Sequence, residues 1–289
     1  MSVMSFFKNR NFVGLLLANT LFGAAMPMLL ILGGVTGLML APSGGLATLP
    51  ASVQTLAGLL AAAPFSLLMG RIGRRKGFVF GAVLAILGAL AAVEAMFSQN
   101  FAMLCLAHFA MGAGLAAFQY FRFAAGEVVD AKWQPVAISL MLTSGLVAAI
   151  GGPQLFIVAK DALAPVPFAG AYAALAGVIV IGMLPLVLVR MPVPAMAIRG
   201  VSARVALGTA LRRRPIRRAI GIAAVAQGVM IFLMIPTPLA MIGCGFSEDT
   251  AGDVIRWHIV AMFAPSFFTG FLIQRFGAQN IAVSGLVLL

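Results

Sequence analysis

Apolar residues run through this chain in stretches too long for ordinary core helices, and nearly all the charged residues fall in the breaks between them. A helix needs about 20 mostly apolar residues to cross the hydrocarbon core of a bilayer, and that length recurs along the chain. The pattern predicts spans over residues 11–40, 49–69, 78–97, 101–123, 135–158, 168–189, 219–242 and 251–273, with a ninth beginning near Ile281. The stretches are apolar on every side and lack the polar–apolar alternation over about ten residues that an outer-membrane barrel strand carries. In lipid each span must satisfy its own backbone hydrogen bonds, so the expected fold is all-α, a polytopic transmembrane helix bundle. The first stretch follows Lys8 and Arg10 as a signal peptide follows its basic start, but it is longer than a cleaved apolar region and is expected to be retained.

Composition excludes a soluble domain: 62% of residues are hydrophobic and 9% charged, and the mean hydropathy is +1.10. The charges that remain set the orientation, because basic residues stay on the cytoplasmic side during insertion. Of the 19 lysines and arginines, all but Lys160 and Arg256 fall at alternate breaks, on the side that holds the N-terminus. The opposite breaks are short and neutral or carry Glu248 and Asp249. The expectation is a multi-pass protein of a bacterial-type inner membrane with a cytoplasmic N-terminus. The net charge of +12 is then a product of topology, aided by anionic lipid head groups. No basic cluster sits among aromatics in a soluble domain, so nucleic acid is not an expected partner. Cys105 and Cys244 have no metal-ligand spacing, His108 and His258 form no close pair, and there is no phosphate-binding G-x-x-x-x-G-K-[ST] loop. No metal, cofactor or enzyme activity is expected.

The chain also resembles itself. SLLMGRIGRRK, from Ser66 to Lys76, returns in outline as GFLIQRFGAQN, from Gly270 to Asn280, aligning Leu68 with Leu272, Arg71 with Arg275 and Gly73 with Gly277. Each copy follows the second span of its part of the chain. This divides the sequence into a six-helix half over 1–190, a basic cytoplasmic linker over 191–218 and a partial second half over 219–289, an arrangement suited to rocking around a midplane site.

Both turns resemble the signature G-x-x-x-D-R-x-G-R-R of the major facilitator superfamily (MFS) of secondary transporters, and the resemblance extends to the topology of the whole chain. In the first copy Arg71, Gly73, Arg74 and Arg75 match, while Ser66 and Gly70 replace the leading glycine and the aspartate. In the second, Gly270, Arg275 and Gly277 match, Gln274 stands at the aspartate position, and Ala278 and Gln279 replace the basic pair. The resemblance implies a cytoplasmic gate latched through that aspartate, which neither copy has, leaving Gln274 as a hydrogen-bonding substitute. Apart from any family, glycine suits a turn this tight, and the arginines serve either as gating groups or as positive-inside anchors. Residues 230–277 also resemble a distinctive bacterial subgroup of the superfamily.

Polar groups within spans are costly and ordinarily face a cavity or a partner. Asp253, Arg256, Trp257 and His258 open the eighth span, with Asp253 and Arg256 on one face. They read either as the outer half of a central cavity or as a helix start with an interfacial tryptophan, and His258 as a proton carrier or a structural hydrogen bonder. In the fourth span Gln119, Tyr120 and Arg122 form a patch, with Glu127 and Asp130 just beyond; Arg122 is expected to pair with Glu127, to bind an anionic group or to snorkel to the interface. The R-x-x-Q-G that the resemblance implies there reads RFAAG, without the glutamine. Asn19, Gln54, His108 and Gln227 either line a solute or proton path or bond between helices. Pro153, Pro236 and Pro238 mark expected helix kinks.

Together these readings predict a secondary transporter that moves a small solute by alternating access, with protons as the candidate coupling ion and the bilayer and the solute as partners. The alternative is a non-transporting scaffold or cofactor-delivery protein of the same fold, or an inactive fragment, since the family plan continues beyond the apolar run 281–289.

Overall fold

The computed structural model describes residues 8–191, 208–209, 211–234, 237–246 and 248–288. They form helices throughout, with no strand among the described residues. Among the described residues seven helices are long and apolar enough to span a membrane: Arg10–Leu40, Gly44–Ile72, Arg74–Phe97, Phe101–Glu127, Ala131–Ala159, Ala169–Leu188 and Arg214–Leu233. These are the first to seventh spans below. The expected eighth span is present as two helices, Glu248–Phe263 and Ser266–Phe276, and Ala278–Leu288 begins the expected ninth.

Local chemistry explains where several helices begin. The side chain of Asn9 accepts the Asn11 and Phe12 amides at 3.1 and 3.2 Å, and that of Asn100 accepts the Met103 amide at 3.0 Å, so both asparagines cap helix starts. Pro50 and Pro135 occupy first turns, where the missing N–H has no intrahelical acceptor. Between the second and third spans the whole turn is Gly73, at φ 89° and ψ 153°. Gly277 repeats it at φ 80° and ψ 152°, so the internal sequence repeat is also a repeat of backbone conformation. Only glycine adopts this region without strain. Replacing both glycines with alanine is expected to cost about 1–3 kcal/mol at each turn and to lower the melting temperature of the purified chain, with the double variant close to the sum of the singles.

The six spans between Arg10 and Leu188 pack into one bundle whose closest crossings are made by small residues. A Cβ added at Gly114 would sit 2.5 Å from the Gly81 carbonyl oxygen, and one at Gly88 would sit 2.9 Å from that of Ala107. Lipid tails are as apolar as leucine, so shape and van der Waals contact hold such crossings together. At the basic end of the bundle Phe22 stacks on Phe118 at 4.1 Å and Phe78 on Phe121 at 4.0 Å. Large apolar residues on the outside, such as Leu59 at 74% and Val158 at 80% exposure, are what a lipid-facing surface requires.

Among the described residues three spans are interrupted. The first breaks at Ala24 between helices Arg10–Gly23 and Ala25–Leu40. The fourth passes through a 3-10 segment, Ala117–Tyr120, between helices Phe101–Ala116 and Phe121–Glu127. The eighth breaks at Ala264 and Pro265. The expected kink sites fare differently: the fifth-span helix Gln134–Ala159 runs unbroken through Pro153, Pro236 lies outside the described residues, and Pro238 lies within the short helix Thr237–Gly243.

Candidate functional site

The eighth span meets the bundle along the fifth, and their hydrogen bonds cluster where the basic loops lie. Gln274 donates from its side-chain amide to the Lys132 carbonyl at 2.5 Å. The Ser139 hydroxyl donates to the Ser266 carbonyl and accepts the Gly270 amide at 2.9 Å. Gly270 makes the approach possible, since a Cβ there would lie 2.6 Å from Ser139 Cβ and 2.8 Å from the Pro135 carbonyl oxygen. Nearer the membrane centre the Phe263 ring reaches the fifth span at Gly145, where an added Cβ would meet it at 2.9 Å. Residues 266, 270 and 274 fall at i, i+4 and i+8, so one stripe of the eighth span faces the fifth.

The residues of the repeated turns have unlike surroundings. Arg74 forms a two-pronged ion pair with Glu127, its Nε donating to one carboxylate oxygen at 2.6 Å and its terminal nitrogen to the other. This joins the turn between the second and third spans to the end of the fourth. Of the three readings of Arg122, this removes the pairing with Glu127. Arg122 instead donates to Gln119, to the backbone carbonyl at 3.0 Å and the side-chain oxygen at 2.5 Å, and its guanidinium lies 5.7 Å from the centre of the Phe123 ring. The reason is reach: the 3-10 segment brings Gln119 onto the face of Arg122 one turn back, while Arg74 approaches Glu127 from the neighbouring turn. Arg71 is exposed, and the Arg275 guanidinium lies 5.3 Å from the Phe276 ring centre. An open cleft of about 360 Å³ borders the ion pair, lined in part by Ser66, Tyr120, Phe123 and Gln134. The hydroxyl of Tyr120 donates to the Ala62 carbonyl at 2.7 Å.

Deeper in the bundle lies a chain of polar groups from four spans. The two ring nitrogens of His108 are both engaged, Nδ1 with Gln54 Oε1 at 2.8 Å and Nε2 with the Tyr172 hydroxyl at 2.7 Å. Tyr172 meets Thr36 at 2.9 Å, and Thr36 donates to the Leu32 carbonyl at 2.6 Å. Thr36, His108 and Tyr172 have no exposed surface and Gln54 keeps 7%. With a carbonyl oxygen at Nδ1, a neutral ring carries its proton there and accepts the tyrosine proton on Nε2, so the Thr36 proton is shared between the Leu32 carbonyl and the tyrosine oxygen. His108 is therefore enclosed among the first, second, fourth and sixth spans rather than open to a path. Sequence reasoning named Gln54 and His108 without linking them, and it overlooked Thr36 and Tyr172. Their signal was available: both are hydroxyl-bearing residues inside apolar spans.

The other expected path residues are spread out. Asn19 ties the first span to the fifth, donating to the Met141 carbonyl at 3.0 Å and Ser144 Oγ at 2.7 Å. Gln227, Trp257 and His258 are exposed. Asp253 and Arg256 lie on the helix Glu248–Phe263, and their side chains lie outside the described residues. Among the described residues no group of three His, Cys, Asp or Glu is placed to hold a metal ion.

Comparison with known proteins gives this geometry a context. No family model matches the chain. It is 36% identical over 286 residues to the riboflavin transporter RfnT of Brucella anthropi, covering 97% of this chain and 71% of the relative. It is 27% and 29% identical to two uncharacterised MFS-type transporters of Bacillus subtilis, YddS and YdeG, over 92% and 91% of its own length. It spans 65% and 64% of those two proteins. Among solved structures, the fucose:proton symporter FucP of E. coli matches with a TM-score of 0.72 at 17% identity, over 93% of this chain and 72% of that one. FucP in the outward conformation matches with a TM-score of 0.73 at 17% identity, over 92% of this chain and 71% of that one. At such identity the likeness is one of fold. The relatives are membrane transporters and not enzymes.

Proposed function

The chain belongs to the major facilitator superfamily of membrane transporters, and on that premise we propose that it moves a small solute by alternating access between two halves, 1–190 and 219–289, joined by the basic linker. The observation that carries this reading is the seam between the fifth and eighth spans, hydrogen-bonded at the basic end by Ser139, Gly270 and Gln274. A transporter closed on that side and able to part there needs such a seam, and the gating turns at Gly73 and Gly277 flank it with matching conformations. Arg71, Arg74, Gln274 and Arg275 serve this gate, with Gln274 bonding where the family pattern has an aspartate. The basic ends face the cytoplasm of a bacterial-type inner membrane, which the distribution of lysine and arginine supports.

Among the described residues of the six-span bundle the buried polar side chains are an amide, hydroxyls and an imidazole, and Arg122 is bonded to Gln119. Riboflavin, named for the Brucella relative, is the first solute to try. Reconstituted in liposomes, the chain is expected to take up radiolabelled riboflavin saturably, with the initial rate raised by an imposed inward proton gradient and lowered by a protonophore. Uptake no faster than in empty liposomes, for riboflavin and for other neutral vitamins and sugars alike, would count against transport by this chain and for a scaffold role.

A further inference from the structure

Five arginines crowd the point where the linker enters the seventh span: Arg212, Arg213, Arg214, Arg217 and Arg218. All of them are exposed. They lie at or just before the first turn of the helix Arg214–Met234, where the Arg217 amide donates to the Arg213 carbonyl at 3.2 Å. Arg213 and Arg217 are therefore one turn apart, and so are Arg214 and Arg218 beside them. This is an unfavourable place for cations. Like charges at i and i+4 repel, and the start of a helix is the positive end of its dipole. No acidic residue lies in the first turn. Of the seven acidic residues in the chain, Glu127 and Asp130 are the two at the basic end, and Glu127 is held by Arg74. Orientation in the membrane asks for basic residues in this linker, but not for two like-charged pairs on the opening turn of a helix.

We propose that this cluster binds an anionic phospholipid with two phosphates, one gripped by Arg213 and Arg217 and the other by Arg214 and Arg218. A guanidinium presents a planar fork of donors that matches two phosphate oxygens, which suits arginine better than lysine for the task. Two such pairs side by side fit two phosphates on one short bridge, the headgroup of a cardiolipin. The bound charge turns a repulsive helix start into a favourable one, since an anion there meets both the arginines and the positive end of the dipole. The source of the phosphates is the membrane. The cluster lies at the end of a membrane span, and Ile220, Ile222 and Val225 follow it with their side chains exposed, giving acyl chains an apolar surface directly below the headgroup. A lipid held in this way fixes the depth of the seventh span at its basic end. The site is independent of which solute the chain carries.

The full chain, purified in detergent and titrated with tetraoleoyl cardiolipin, is expected to retain a single lipid molecule in native mass spectrometry. It is expected to bind phosphatidylglycerol more weakly at equal phosphate, and phosphatidylethanolamine hardly at all. Arg217→Gln with Arg218→Gln is expected to weaken cardiolipin binding by about fivefold for each arginine removed. Arg217→Lys with Arg218→Lys keeps the charge that insertion needs and is expected to weaken it less, through loss of the planar fork. Arg75→Gln with Lys76→Gln removes two exposed charges from the turn after the second span and is expected to leave the binding unchanged. An equal loss in that control, or equal retention of all three lipids, would mean diffuse attraction to a basic surface and overturn the site. Displacement of cardiolipin by sodium pyrophosphate at equal phosphate would assign the cluster to a soluble anion and overturn the lipid.

Discussion

Replacing His108 with alanine is expected to lower the stability of the detergent-purified protein by about 3 kcal/mol or more, read as a drop in melting temperature. The ring holds Gln54 on one nitrogen and Tyr172 on the other, with no exposed surface through which water could replace it. Each partner left unpaired costs about 1–3 kcal/mol, and the emptied ring volume adds a cavity. Tyr172→Phe alone is expected to cost less, because it removes one hydroxyl and leaves the ring bonded to Gln54. The two changes together are expected to cost less than their sum, since each breaks the same His108–Tyr172 bond. An alanine variant that melts within a degree of the parent would mean that the chain of bonds does not hold these four spans together.

The second large effect is expected at Gly112, where the second and fourth spans cross. An added Cβ would lie 2.8 Å from the Gln54 carbonyl carbon and 2.9 Å from its Cα. Backbone cannot swing aside as a side chain can, so Gly112→Val must push the helices apart, at a cost of about 3 kcal/mol. The displaced residue is Gln54 itself, so the same change withdraws the acceptor from His108. A double-mutant comparison with Gln54→Ala is expected to show the coupling, with the valine costing less once the amide is gone. Gly177, where nothing lies within 4 Å of an added Cβ, is the control, and valine there is expected to leave the melt nearly unchanged.

Much of the fold was legible because lipid imposes a simple rule on sequence. Spans had to be apolar, helical and about 20 residues long, and the first six stand close to where hydropathy put them, while the seventh, expected over 219–242, runs over Arg214–Leu233. The repeat was legible as well, because a one-residue turn between antiparallel spans demands glycine, and Gly73 and Gly277 answer that demand with nearly the same dihedrals. The partners of the candidate residues were not. Arg122 turned to Gln119 because a 3-10 segment altered the register of the fourth span, and nothing in AFQY announces that segment. His108 could be marked as costly, but its partners come from helices 54 and 64 residues away in sequence. Ser139 drew no attention at all, since a serine in a membrane helix commonly bonds its own backbone.

What the sequence determined by itself was the solvent, the number of the early spans and the two glycine turns, all consequences of local composition. What only the tertiary structure decided was which polar groups meet: Gln54 with His108, His108 with Tyr172, Arg74 with Glu127, and the Ser139 hydroxyl with the Gly270 amide and the Ser266 carbonyl. The physical reason is that hydropathy is a property of each segment alone, whereas a hydrogen bond in lipid depends on the rotation and depth at which two segments pack, and those are set by the small residues at their crossings.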